Sequence, residues 1–483
     1  AVRSACPVQR AGPLVRDLTV DSTARAQAAA VRAKEISARE LLDLHLARIA
    51  ERNPQLNAIV SLDEERAREG AAAADEALTT GAEPGPLHGL PFAFKDTHEV
   101  AGWRTTFGSP LFKDFVPEQD ELIVERVRGA GVVVIGKTNV PEFAAGSHTF
   151  NTLFGTTLNP VDPTRSAGGS SGGAACALAS GMVPLADGSD MGGSLRNPAS
   201  FCGVVGLRPS LGRVPQWPAH NQWETTSVGG PLARNVGDLA LLLSVMAGPD
   251  PRAPQALGDP GIVFAPPVAG SLTGLRVAVS PDLGGQLEVD TEVADIVGRS
   301  AEVLTSAGAT VSSAYPTLAE ADDTFRTLRA WHFQAVFGEL LAAHPDDFKA
   351  SLADNIRAGE HLTGADVARA YAGRTALSER MREFFTDHDL LVLPTSQVPP
   401  FPADQEFPAE INGEPMETYL DWMRACYFIT VTGCPAISVP FGHTSAGLPV
   451  GVQLVTAHGA DRFLIEVAAA LEAALETQLG PDA

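Results

Sequence analysis

Residues 165–209 read RSAGGSSGGAACALASGMVPLADGSDMGGSLRNPASFCGVVGLRP, and this stretch constrains the rest of the chain more than any other. Two glycine–serine clusters lie 24 residues apart, at Ser170 and Ser194. Between them run a small-residue segment, Gly172 to Ser180, and an apolar run, Met182 to Ala186. The pattern predicts loop, helix, strand, loop. The first serines open a helix, where free backbone N–H groups point outward. Gly192 and Gly193 precede Ser194 without a Cβ between them, so bare N–H groups can crowd a ligand atom. Donors set in that way can stabilise an oxyanion. A flexible linker would also be rich in Gly and Ser. It would not continue into a tightly packed AACALASGMVPLA or carry Arg196, Asn197 and Pro198 behind its second cluster.

The chain has five lysines against 30 arginines. Lys95 ends the apolar run Pro91 to Phe94, which reads as a strand. A lysine at a strand end is commonly a solvated gatekeeper. After an apolar run, however, its charge is costly unless neutralised. Lys34, Lys113 and Lys349 sit in polar contexts that read as exposed.

Two motifs mislead. Gly131-Val-Val-Val-Ile-Gly136-Lys137-Thr138 matches the phosphate-loop pattern letter for letter. That mechanism needs a glycine-rich loop between strand and helix. Here the variable positions are themselves a strand, and Pro141 stops a helix after Thr138. Lys137, Asn139 and Glu142 therefore read as structural. Gly168-Gly169-Ser170-Ser171-Gly172 fits the G-x-S-x-G elbow. An elbow follows a strand directly, whereas this one follows the turn-rich Asn159-Pro-Val-Asp-Pro-Thr. His443 and His458 lie downstream, but neither stands in a recognisable setting.

Taken together, GGSSGGAA, GSDMGGSLRNPASFCG, GLPFAFKD and GKTNVPEF resemble the amidase signature family of serine hydrolases. The resemblance covers about residues 20 to 245 and is weaker at 389–395 and 434–456. It implies a large mixed, twisted central sheet with helices on both faces. It also implies that Ser194 is the nucleophile, Ser170 a bridging serine and Lys95 the base. The backbone N–H groups of Met191, Gly192, Gly193 and Ser194 would hold the oxyanion. Ser171, Asp190 and Arg196 would support them. The family's peptide before the bridging serine is cis, here Gly169–Ser170. Many members carry Thr where this chain has Met191, which makes the adjacent wall more apolar but leaves a backbone donor in place.

A serine hydroxyl needs a base, and no histidine stands near either cluster in a convincing motif. Ser–Lys arrangements are a known variant of the triad. For Lys95 to be largely neutral near pH 7, its pKa must fall about three units from ~10.4, a cost of about 4 kcal/mol. Burial without a carboxylate partner can supply that. Asp96 is adjacent, but a strand would turn it to the opposite face.

Composition limits the alternatives. A net charge of −23 argues against direct nucleic-acid binding, which needs a basic footprint. No apolar run reaches 18 residues, so no membrane span is expected. The five scattered cysteines form no C-x-x-C pair, and no H-E-x-x-H occurs, so neither a metal nor a disulfide framework is expected. No cofactor motif survives scrutiny. The expected setting is the cytoplasm, as a monomer or homodimer.

Elsewhere the chain alternates helices and short strands, an α/β pattern. Ser37-Ala-Arg-Glu40 is a capping box opening a helix to about Arg52, broken by Asn53-Pro54. Residues 62–79, 119–130, 290–307, 318–343, 363–387 and 461–476 read as helices. Leu275–Ser280, Thr310–Tyr315, Leu390–Leu393, Ala436–Phe441 and Val450–Val455 read as strands. Residues 1–15 read as a tail, 16–483 as one domain, and 250–395 as a variable lid over the substrate. The resulting expectation is an amidase acting on small apolar or aryl amides. The alternatives are a carbamate or ester hydrolase using the same residues, and the catalytic subunit of a tRNA-dependent amidotransferase.

Overall fold

Short runs of β-branched and aliphatic residues set many of the strands. In the computed structural model, which describes residues 18–479, the first are β1 (Ile59–Leu62), β2 (Pro91–Lys95) and β3 (Val133–Thr138). A small hairpin, β4 (Phe150–Asn151) and β5 (Gly155–Thr156), leads to β6 (Leu185–Asp190), β7 (Val205–Arg208) and β8 (Val228–Ala233). Then come β9 (Arg276–Val279), β10 (Thr310–Ser312) and β11 (Leu390–Pro394). A second small hairpin, β12 (Glu410–Ile411) and β13 (Glu414–Pro415), precedes the long pair β14 (Ala436–His443) and β15 (Pro449–Val455). The tail predicted at 1–15 lies outside the described residues.

Eight strands form a mixed central sheet in the order β10-β9-β11-β15-β14-β7-β8-β6. β9 runs parallel to both β10 and β11, and every other pairing is antiparallel. Helices cover both faces, as expected. A separate three-stranded sheet, β1-β3-β2, packs beside β6, so the end of β2 meets the edge of the large sheet. Lys95 sits at that junction, its backbone N–H donating to Asp187 Oδ1 on β6 at 3.0 Å.

Several expectations need correction. Asn53-Pro54 does not break the second helix, which spans Ala38–Leu56. Pro54 falls in its last turn. Asn53 Oδ1 accepts from the amides of Ala58 and Ile59 and ties down the chain beyond. The run Gly230 to Asn235 reads as loop, but Gly230 to Ala233 lie in β8. A Cβ at Gly230 would come within 2.5 Å of Leu207 O, so bare glycine lets the backbones close up. The strand predicted at Met182–Ala186 lies further on and carries Ser189 and Asp190 with it. Helices at Ala350–Arg357 and Arg424–Thr432 were not foreseen.

The segment 250–395 divides in two. Its strands β9, β10 and β11 extend the central sheet. Its helix Ala321–Ala343 instead reaches the cavity beside Ser194. Within β3, Gly136, Lys137 and Thr138 are all strand residues, so no phosphate loop exists there.

Candidate active site

Ser170 and Ser171 lie directly before the helix Gly172–Ala179, as the small-residue pattern predicted. The Gly169–Ser170 peptide is cis. Its loop is held by Ser147 Oγ donating to Gly169 O at 2.7 Å and Thr149 Oγ1 donating to Gly168 O at 2.9 Å. The Ser171 amide donates to Ser194 O at 3.3 Å, which brings the two glycine–serine clusters together.

Lys95 is fully buried. Its Nζ donates to three hydroxyls: Ser170 Oγ at 2.7 Å, Ser171 Oγ at 3.0 Å and Ser189 Oγ at 3.0 Å. No carboxylate touches it, because Asp187 binds its backbone N–H rather than its ammonium. Burial pushes the Lys95 pKa down to about 7, against the pull of the nearby Asp187 and Asp190 carboxylates. Asp96 does turn away, accepting from Thr106 and lying 3.9 Å from Lys137.

Past the end of β6 the chain turns sharply through Met191, Gly192 and Gly193 to Ser194. Gly193 has φ +117°, and a Cβ there would come within 2.7 Å of Cys426 Cβ, so both conformation and space require glycine. Asp190 organises the turn. Its Oδ1 accepts from the Gly193 amide at 2.9 Å, and its Oδ2 accepts from the Leu195 amide at 3.1 Å. The Gly193 N–H, assigned to the oxyanion from the sequence, is thus already engaged by Asp190. The amides of Met191, Gly192 and Ser194 find no acceptor among the described residues.

Arg196 is fully buried and paired with Asp190 at 2.8 Å. It also donates to Gln453 Oε1 at 2.6 Å, Thr430 Oγ1 at 3.0 Å and Cys426 O at 2.9 Å. Burial would raise the Asp190 carboxyl, but Arg196 and Arg208 outweigh it and hold the pKa well below the ordinary range. Asp190 is therefore a permanent anion that fixes the loop.

Two connected chambers open onto these groups. The smaller, about 140 Å³, is bordered by Ser170, Ser189, Met191, Gly192, Ser194, Arg329, His332, Phe333 and Met423. The larger, about 540 Å³, is walled by Phe107, Phe112, Phe115, Trp217, Val336 and Leu340, with His98, Glu99 and Glu121 at one side. Phe143, Ala144, Ser189, Ser227 and Phe337 border both. Phe143 and Phe337 pack against each other with ring centroids 4.8 Å apart and planes tilted by 43°.

Lys95, Ser170, Ser171, Asp190, Met191, Gly192, Gly193, Ser194 and Arg196 gather at this point. Sequence reasoning missed Ser189, Asp187 and His98, whose Nδ1 pairs with Asp187 Oδ2. It also missed Arg208, Gln453, Thr430 and the cavity walls. Alternation offered one signal. On β6, Asp187 and Ser189 face Lys95, while Gly188 and Asp190 face Leu195 and Arg196. Extending the strand to Asp190 would have found them. Lys349, read as exposed, is instead largely buried, donating to Ala145 O at 2.9 Å and pairing with Glu406 at 3.2 Å. A polar run without periodicity carries no sign of that.

Comparison with known proteins agrees in sequence and in fold. The Amidase family model matches residues 40–465. An acylamidase from Rhodococcus erythropolis is 36% identical over 93% of this chain and 95% of its own. A glutamyl-tRNA(Gln) amidotransferase subunit from Synechococcus sp. (strain CC9605) is 36% identical over 91% of this chain and 93% of its own. Among solved structures, a bacterial aryl acylamidase of the amidase signature enzymes superposes with a TM-score of 0.87 at 30% identity, covering 94% of this chain and 96% of that one.

Proposed function

The chain belongs to the amidase signature family and is an amidase, a hydrolase of C–N bonds; from that premise we propose that it cleaves small aryl or otherwise apolar amides through Ser194, Ser170 and Lys95. The observation that carries this reading is the Lys95 ammonium, fully buried, bonded to Ser170 Oγ at 2.7 Å and free of any carboxylate.

A lysine with a pKa near 7 is substantially neutral at physiological pH and can accept a proton. Lys95 takes the proton of Ser170, and Ser170 takes that of Ser194. Ser194 Oγ attacks the amide carbon. The N–H groups of Met191, Gly192 and Ser194 hold the oxyanion, and each such donor is worth about 3 kcal/mol in a dry site. Collapse of the intermediate expels the amine, which receives its proton back through Ser170. Water then attacks the acyl-enzyme by the same relay and releases the acid. Hydrolysis consumes one amide and one water and yields one amine and one carboxylic acid.

The aromatic walls of the larger chamber favour an apolar or aryl group over a small polar one. The helix Ala321–Ala343, within the variable region 250–395, contributes to that preference through Val336, Phe337 and Leu340. The four cysteines among the described residues are unpaired, which supports a reducing, cytoplasmic setting. The amidotransferase relatives favour a second reading, in which the same site serves as the catalytic subunit of such an enzyme.

The test is release of 4-nitroaniline by the purified chain from matched acyl anilides and methyl carbamates, with Ser194→Ala as control. Faster anilide cleavage, abolished in the control, is the expected result. Preferential carbamate cleavage would move the assignment to urethanes. An inert chain that gains activity only with partner subunits would move it to the amidotransferase.

A further inference from the structure

Arg329 is a buried cation without a matching anion. It projects from the helix Ala321–Ala343 and is only 4% exposed. Its Nε donates to Asn355 Oδ1 at 3.1 Å, its Nη2 to Tyr419 Oη at 2.8 Å and its Nη1 to Met191 Sδ at 3.2 Å. Its guanidinium carbon lies 4.1 Å from the centre of the Phe333 ring. These partners are an amide, a phenol, a thioether and a ring face. They satisfy some of its five N–H bonds but supply no negative charge. No carboxylate among the described residues lies within ion-pair distance of it.

The neighbouring charges are already matched elsewhere. Asp322 and Asp421 pair with Arg326 and Arg424. Asp354 pairs with Arg357. Lys349, which shares the Tyr419 ring with Arg329, has Glu406 at 3.2 Å. His332 borders the same chamber, and burial lowers its pKa, so it adds no fixed charge there. Glu99 and Glu121 border the larger chamber instead, facing Lys137 and, for Glu121, His98 as well.

Burying a charge is costly unless an opposite charge and hydrogen bonds meet it. Every other fully buried guanidinium in the site is met in that way, Arg196 and Arg208 by Asp190. Arg329 borders the chamber that holds Ser170 and Ser194, and it touches the side chain of Met191, which borders the same chamber. We propose that Arg329 is a specificity-determining residue that binds a carboxylate on the acyl side of the substrate. The preferred substrates are then short dicarboxylic acids amidated at one end, with the aryl or apolar amine in the larger chamber. The smaller chamber, about 140 Å³, has room for about five water-sized groups, enough for a short acyl chain ending in a carboxylate. The guanidinium fork suits such a group bidentately. This assignment rests on the amidase reading above, placed in the same site.

The experiment compares kcat/KM for glutaric acid mono-4-nitroanilide and for 5-methylhexanoyl 4-nitroanilide, a neutral substrate of similar shape. Wild type is expected to prefer the acid by tenfold or more. Arg329→Gln should cut that ratio by about 10- to 100-fold, the range for a hydrogen bond to a charged group. Arg329→Lys should retain part of it. In parallel, calorimetry measures glutarate binding to the intact Ser194→Ala chain, with and without Arg329→Gln, after circular dichroism has confirmed each fold. A wild type that prefers the neutral anilide, or an Arg329→Gln variant that lowers both substrates equally, overturns the carboxylate site and leaves Arg329 a support for Met191. Glutarate binding that depends on Arg329, with neither anilide cleaved, upholds the anion site and overturns the aryl-amide reading. Absence of glutarate binding together with equal cleavage of both anilides overturns the anion site and leaves the amidase reading standing.

Discussion

Lys95 ends β2 and Lys137 is the penultimate residue of the parallel neighbour β3, their residues in adjacent register, and both are fully buried. Burial lowers the pKa of each. What surrounds them differs. Lys95 meets only hydroxyls at its ammonium. Lys137 meets His98 O, Thr105 Oγ1 at 3.0 Å and the Asp96 carboxylate at 3.9 Å. Burial also pushes the Asp96 carboxyl up, and each partner's charge opposes the shift of the other. Equal burial therefore makes two different devices. A lysine beside a carboxylate is one half of an ion pair that ties two neighbouring strands together. A lysine beside hydroxyls can give up its proton and take one from serine.

The contrast can be broken by substitution. Lys95→Met should lower kcat/KM on an anilide by at least about 10³-fold, as loss of a triad member does, with the folded structure retained by circular dichroism. Lys137→Met should do the opposite. It strands a buried carboxyl and should lower stability by about 3 kcal/mol in a denaturant titration, while activity per folded molecule stays within about tenfold. A Lys137→Met chain that is fully stable but dead would erase the distinction.

Titration sharpens it further. With neutral Lys95 as the proposed base, kcat/KM should climb about tenfold per pH unit below pH 7 and level off above it, following one ionisation. A kinetic pKa above 9 with full activity at pH 7 would remove Lys95 as the base. The same shift acts on stability. Lys95 titrates near 10.5 when unfolded and about 7 when folded, so the unfolded chain holds more protons between those values. Its cost to the fold is full below pH 7 and is relieved as pH rises to 10.5, by about 1.4 kcal/mol per pH unit. Lys95→Met should accordingly stabilise the protein more at pH 6 than at pH 10 in paired denaturant titrations. The smallest expected effect is at the cavity wall. Phe337→Ala should raise KM for an aryl amide by about tenfold relative to acetamide, in line with 1–3 kcal/mol for a hydrophobic pocket contact.

The fold was legible where pattern and punctuation agreed. The helix after Ser171, the strand ending in Lys95 and the β14–β15 hairpin all follow from small-residue runs, apolar runs and bounding glycines. It was illegible where close packing overrode local signals. The strand Val228–Ala233 contains two glycines and a proline, and only its neighbours make it a strand. The helix Arg424–Thr432 carries Thr430 and Cys426 O to Arg196, across more than 200 residues of chain that no local pattern can bridge.

By itself the sequence determined which residues carry reactive groups. The Ser170 and Ser194 clusters, the lysine after an apolar run and the glycines before Ser194 are local facts, because hydroxyl, amine and bare N–H chemistry belongs to residue types and short spacings. Tertiary structure alone decided their charge states and their company. The charge environment that separates Lys95 from Lys137 comes from β6, which offers a hydroxyl at Ser189 and turns the Asp187 carboxylate to a backbone amide. Likewise, only folding takes the Gly193 amide for Asp190, and only folding leaves Arg329 facing the chamber of Ser194 without a counter-charge. Electrostatic energies depend on distance and burial in three dimensions, and those are set by segments remote in sequence.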